Sequence, residues 1–140
     1  MKKKLILVSH GKLSEGMMHS VQMICGESGE LSCYGMMPGE HYAEIVQKIH
    51  EQSKEHPDTQ YIVLADLLGG SVCNGCTELV GCDNVNLISG MNMGLVMELL
   101  LEPAPVSEET IEEKLKNSKE AMLHVTPSYI SGQSQEEDFF

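Results

Sequence analysis

The sequence predicts an α/β fold, a doubly wound and mainly parallel sheet of four strands with helices on both faces and a short further strand near the C-terminus. Three observations predict it. Four apolar runs of strand length recur at residues 4–8, 31–34, 61–65 and 85–88. Stretches with helical spacing of apolar residues lie between them, and glycine or proline punctuates most of the joins. Parallel neighbours need crossover connections of about a dozen residues or more, which those stretches supply.

After the first run, Met17, Met18, Val21, Ile24 and Cys25 fall at helical spacing within residues 14–26, with Ser14 placed to cap the start and Gly26 to end it. After the second, residues 40–54 put Tyr42, Ile45, Val46 and Ile49 on one face, and His56, Pro57 and Asp58 supply the break. After the third, Gly69, Gly70 and Ser71 open a helix reaching about residue 80, with Thr77 and Glu78 toward water, Leu79 and Val80 inward, and Gly81 as its end. Residues 93–101 form a further helix, and Pro103 and Pro105 mark a linker. Residues 108–122 read as a helix whose acidic first turn and later lysines complement the helix dipole. Residues 123–125 are the last short strand. One domain is expected over residues 1–130, followed by an acidic mobile tail, 131–140, that ends in Phe139 and Phe140.

Nine Lys and no Arg stand against 21 acidic residues, a net charge of −12, which argues against nucleic acid as a partner. Such a charge favours a basic protein partner through long-range steering. The apolar stretch after Lys2, Lys3 and Lys4 is too short for a signal sequence or a membrane span, so the cytoplasm is the expected compartment. Five cysteines, an odd number, argue for free thiols.

In parallel sheets ligands sit beyond the carboxyl ends of the strands, near the point where strand order reverses. That rule selects Ser9, His10 and Gly11, then residues 36–40, residues 66–71 and residues 89–93. His10 follows an apolar strand and precedes glycine, so its ring should emerge at the rim. Asp66 ends the third strand. If strands one and three are neighbours, its carboxylate can hold the proton of one ring nitrogen and leave the other lone pair free, which makes a nucleophile. Gly69, Gly70 and Ser71 place open amides and a hydroxyl at a helix start, where a phosphate is favoured. No metal or cofactor is required by this arrangement. Each element alone has a plainer reading: a hydrogen-bonded histidine, an aspartate capping a turn, a common Gly-Gly-Ser loop. The other histidines, His19, His41, His50, His56 and His124, read as structural or solvated.

In their order and spacing, Ser9-His10-Gly11, Pro38-Gly39-Glu40, Asp66 through Ser71, and Gly90-Met91-Asn92 resemble the enzyme IIA component of the mannose family of the bacterial phosphotransferase system, the mannose, fructose, sorbose and N-acetylgalactosamine type. The resemblance runs from residue 4 to about residue 125. It implies that His10 accepts a phosphoryl group from a phosphohistidine of the small carrier HPr and passes it to an enzyme IIB, with Asp66 orienting His10. Gly69, Gly70 and Ser71 would hold the phosphate, and Ser9, Pro38, Gly39 and Asn92 would rim the site. Sugar selection would belong to membrane permease subunits, met only indirectly. The resemblance also implies a homodimer, in which the short C-terminal strand runs antiparallel; pairing with the other subunit's sheet would shield an edge. The chain departs from the family pattern at Val72 and Gly94, where proline is common, and at Cys73, where a larger apolar residue is usual.

Three rivals share parts of this pattern. Cys73 and Cys76, near a helix start, suggest a metal or redox module, although zinc needs two more ligands. Asp66 after strand three suits a receiver domain, but the acidic residues needed after strand one to hold magnesium are replaced by Ser9, His10 and Gly11. The phosphocarrier subunit of dihydroxyacetone kinase systems shares the fold and the histidine; its third-strand turn normally has Met and one Gly before Ser, where this chain has Leu68, Gly69, Gly70 and Ser71.

Overall fold

The computed structural model describes residues 1–137 and consists of a four-stranded, all-parallel sheet with helices on both faces. Strands β1 (Lys2–His10), β2 (Leu31–Met36), β3 (Thr59–Ala65) and β4 (Val85–Ser89) lie in the order β2-β1-β3-β4. Helices α1 (Leu13–Cys25), α2 (Ala43–Glu55), α3 (Ser71–Cys76), α4 (Met93–Leu101), α5 (Glu108–Glu120) and α6 (Pro127–Glu137) complete it, with a 3-10 turn at Thr77–Gly81.

Period-two alternation in β1 and β3 sorts the core into two layers. Leu5, Leu7, Ile62 and Leu64 pack with Val21 of α1, Leu95 and Leu99 of α4 and Ile111 of α5. Ile6, Val8, Val63 and Ala65 point the other way, against Ile45, Val46 and Ile49 of α2 and Val72 and Cys76 of α3. β1 and β3 are thereby buried on both faces, which is why they read as continuous apolar runs. The chain leaves β1 toward β2 on one side and returns to β3 on the other. The crevice of this reversal opens beyond the carboxyl ends of β1 and β3, at His10 and Asp66.

Several local expectations are corrected. β1 continues past Val8 because Ser9 and His10 still pair with Gly35 and Met36. Ser14 does not cap α1; its amide donates to Ser9 Oγ at 2.8 Å and its hydroxyl donates to the Tyr34 carbonyl at 3.0 Å. α2 starts three residues after Glu40, whose carboxylate instead accepts from the Met37 amide at 3.1 Å and closes the loop. The helix after Ser71 tightens into 3-10 geometry at Thr77; three residues per turn instead of 3.6 swing Val80 outward, 59% exposed, while Leu79 stays buried.

Residues 123–125 form no strand within the single chain, and the chain beyond Thr126 is helix α6 as far as Glu137. Pro127 sits at the first helical position and Thr126 Oγ1 accepts from the Tyr129 amide at 3.2 Å, both ordinary start signals. Phe139 and Phe140 lie outside the described residues. Among the described residues no helix is long and apolar enough to cross a membrane.

Candidate functional site

His10 is the last residue of β1, and Asp66 directly follows β3, its neighbour in the sheet. Parallel pairing of β1 with β3 sets the two residues side by side, and the Asp66 amide donates to the Val8 carbonyl at 3.1 Å. One carboxylate oxygen, Asp66 Oδ2, then accepts twice from His10: from its backbone N–H at 2.9 Å and from ring Nδ1 at 2.7 Å. Two bonds from one residue to one oxygen fix both the strand end and the ring. The other oxygen, Oδ1, accepts from the Leu67 amide at 2.9 Å.

These contacts decide the protonation pattern. Burial alone would push the Asp66 carboxyl up, but the His10 backbone N–H, the His10 ring, the Leu67 N–H and the charge of His10 together hold it below the usual carboxylate range. An ionised carboxylate only accepts, so Nδ1 carries the hydrogen, and the lone pair of a neutral ring is then the one on Nε2. Ser71 Oγ lies 3.2 Å from Nε2, within reach to donate to its lone pair when that nitrogen carries no hydrogen. The Asp66 side chain is 6% exposed while that of His10 is 44% exposed, so the orienting group is dry and the ring is open to a reactant.

Gly69 and Gly70 shape the far wall. Gly69 has φ +86°, which only glycine takes without strain, and it turns the chain into α3. A Cβ on Gly70 would lie 3.1 Å from His10 Cε1, so the bare backbone leaves the room that the imidazole occupies. No side chain caps α3, leaving the amides of Ser71, Val72 and Cys73 open.

The remaining rim residues divide. Pro38 and Gly39 lie in the exposed turn after β2, beside the His10 strand, and the Gly11 amide ties that turn to β1 through the Met36 carbonyl at 2.8 Å. Asn92 follows β4, but its side chain is engaged: Oδ1 accepts from the Leu95 amide as the cap of α4, and Nδ2 donates to Ser118 Oγ at 2.7 Å. Ser9, expected at the rim, is fully buried as the acceptor for α1. A residue the sequence reading passed over is Gly35: a Cβ there would overlap the Gly11 carbonyl oxygen, so glycine is required for β2 to lie against the His10–Gly11 turn. Its signal was a glycine inside a strand, which marks close backbone approach.

The cysteine pair is not set up for thiol chemistry. Cys73 and Cys76 are both buried; burial pushes the Cys73 thiol up, with the Asp66 charge adding, and raises Cys76 to about 12. Thiols so placed stay protonated, whereas reactive ones are exposed and lowered. Among the described residues no group of three His, Cys, Asp or Glu side chains is arranged to hold a metal ion.

Comparison with known proteins gives a consistent assignment. The family model described as PTS system fructose IIA component matches residues 4–119. The sorbose-specific EIIA component of Klebsiella pneumoniae is 29% identical over 112 residues, 79% of this chain and 82% of that protein. The mannose-specific EIIAB component of Escherichia coli (strain K12) is 22% identical over 84% of this chain, which spans 38% of that longer protein. Among solved structures, the mannose/sorbose specific IIA subunit of Enterococcus faecalis superposes with a TM-score of 0.79 at 28% identity, covering 90% of this chain and 96% of that one. The PTS IIA protein associated with the fucose utilization operon of Streptococcus pneumoniae gives 0.76 at 28% identity, with 89% and 93% covered.

Proposed function

Because the chain belongs to the family of the PTS system fructose IIA component, and so serves phosphoryl transfer in sugar uptake, we propose that His10 is its phosphoryl carrier and that Nε2 is the atom that takes the group. The supporting observation is the line of contacts from Asp66 Oδ2 through Nδ1 and Nε2 to Ser71 Oγ. HPr is the donor in this reading and an enzyme IIB the acceptor, with the protein working in the cytoplasm.

In the forward step the Nε2 lone pair attacks the phosphorus of the donor's phosphohistidine. The new N–P bond forms as the donor's N–P bond breaks, and the electron pair of the broken bond returns to the donor's ring nitrogen. The proton on Nδ1 stays in its hydrogen bond to Asp66, whose charge offsets the positive character of the phosphorylated ring. Ser71 turns its hydroxyl from Nε2 to a phosphoryl oxygen, and the open amides at the start of α3 add donors without a metal. Delivery to the acceptor reverses these motions, so the group is held by contacts that can be given up.

The active form in this reading is a homodimer. β4 is an edge strand, bonded only to β3, and beside it Asn86, Ile88, Ile111 and Leu115 line an open groove of about 490 Å³. Met122, Leu123 and Val125 are exposed apolar residues on a segment with no strand partner of its own. Laying residues 123–125 antiparallel on the β4 edge of a second copy covers both features.

The test is to incubate the protein with the general phosphotransferase components and labelled phosphoenolpyruvate. Acid-labile, base-stable label on the wild type and none on His10→Ala is the expected result; hydroxylamine-sensitive label would move the acceptor to Asp66 and overturn the assignment.

A further inference from the structure

The carrier site needs Ser71 Oγ at one place, 3.2 Å from Nε2, yet α3 is six residues long and its start is uncapped by any side chain. Asp66 fixes the Nδ1 side of the ring from the sheet, which is rigid. Burial of Val72, Cys73 and Cys76 anchors the inner face of α3 and Asn74 Nδ2 donates to the Gly69 carbonyl at 3.2 Å, which leaves the face that carries Ser71 to be held by a further contact.

The contact that does so comes from the loop after β2. Tyr42, the residue before α2, lays its ring against the backbone of α3 at Gly75: a Cβ at position 75 would overlap Cδ2 and crowd Cε2 at 2.6 Å and Cγ at 2.7 Å. Cδ2 is the nearest atom and its two ring neighbours follow at near-equal range, the pattern of a position over the ring face, so the ring covers the helix backbone there. Gly75 lies four residues after Ser71, so the two share one face of α3 and the tyrosine supports the turn that carries the hydroxyl. The His41 ring lies against the same tyrosine, tilted by 33° with centroids 4.1 Å apart, and its Nδ1 accepts from the Ala43 amide at 3.1 Å, which fixes the histidine beside it.

We propose that Tyr42 is a positioning residue for phosphoryl transfer, holding α3 through its ring contact at Gly75 so that the Ser71 hydroxyl stays within reach of His10 Nε2. This rests on the carrier role proposed for His10. It assigns a task to the His41–Tyr42 loop end, and it explains why position 75 has no side chain. The contact is one of ring packing, so Tyr42→Phe should behave as wild type, whereas Tyr42→Ala removes the support and Gly75→Ala displaces it.

Two readouts separate this from a general loss of structure and from failure of the carrier assignment. The first is nitrogen NMR of His10 in the unphosphorylated protein, which needs no transfer at all. Tyr42→Ala and Gly75→Ala should move the Nε2 resonance toward that of a ring nitrogen without a hydrogen-bond donor while Nδ1, held by Asp66, stays in place; Tyr42→Phe should move neither. The second is the rate of label uptake at fixed donor, expected to fall on the order of tenfold in Tyr42→Ala and Gly75→Ala and to be retained in Tyr42→Phe. If Tyr42→Ala does not fold, Tyr42→Leu carries the same expectation. An unmoved Nε2 resonance in the folded variants overturns the proposal, whatever the rate. Label absent from the wild type would instead sink the carrier assignment and leave the positioning result to stand on the spectrum.

Discussion

At the scale of single residues, Asp66 is where structure and chemistry meet, since one oxygen accepts both the backbone and the ring N–H of His10. Asp66→Asn keeps the shape and removes the charge, so it should slow label uptake on the order of a hundredfold with little change in fold at neutral pH. The same group sets an acid limit. Its folded pKa lies below the ordinary value of about 3.9, so its contribution to stability is present above that value and is lost as pH falls through the folded pKa. Thermal melts of the wild type should therefore drop as pH goes from about 5 to below 4, and Asp66→Asn should lack part of that drop; parallel curves for the two proteins would refute the link. The meeting of His10, Asp66 and Ser71 was legible in the sequence because apolar runs mark strand ends, and neighbouring parallel strands bring those ends together. Gly35, Tyr42 and Gly75 were not, because each matters through a close approach to an element far away in the chain. The spacing of Cys73 and Cys76 suggested reactivity, and only their burial removes that reading.

Among the elements, β1 is held at both ends by polar contacts. At its carboxyl end stands the His10–Asp66 pair; at its amino end Lys3, with a side chain 3% exposed, donates to the Leu100 carbonyl in the last turn of α4 and to Glu30 Oε2, each at 3.0 Å. Lys3 thus satisfies an orphan carbonyl at a helix C-terminus with a cation, the favourable sign there. Removing the two partners should have unequal effects. Glu30→Ala leaves a buried ammonium short of its counter-charge and should cost about 1–2 kcal/mol, discounted because Glu30 itself is half exposed. Lys3→Met keeps the apolar stem and lets Glu30 return to water but leaves the buried Leu100 carbonyl without its donor, so it should cost the more of the two, about 2 kcal/mol. Urea denaturation of both variants checks the order, and a reversal would mean that the counter-charge matters more than the carbonyl. Gly35→Ala should be worse than either, on the order of 1–3 kcal/mol, because its Cβ meets backbone at Gly11. Element types followed from periodicity and element ends did not. α2 starts late because Glu40 is used in a loop, and α3 tightens at Thr77, and both are settled by contacts that spacing does not encode.

For the whole molecule, the sequence carried the layer order and the location of the crevice, but the pairing proposed between the β4 edge and a second copy cannot be read from one chain's periodicity. Residues 123–125 were expected to be a strand, and within one chain they are not; a strand paired only across subunits would be irregular in isolation. Leu123 and Val125 alternate as residues of one strand face should, and the β4 edge has unpaired backbone groups on one side. Covering that edge removes an aggregation template and buries apolar side chains now in water, about 25 cal/mol for each Å². A charge of −12 on each copy opposes the association, so the dimer should tighten as salt screens that repulsion. Sedimentation should give twice the 15.4 kDa of a single chain for the wild type. In the double variant Leu123→Asp and Val125→Asp, the apolar face is lost and the charge grows, and sedimentation should return the mass of one chain while His10 keeps its bonds to Asp66 and Ser71, which come from outside this segment. A wild-type protein that sediments as one chain at high and low salt would remove strand exchange from the picture and leave the carrier site untouched.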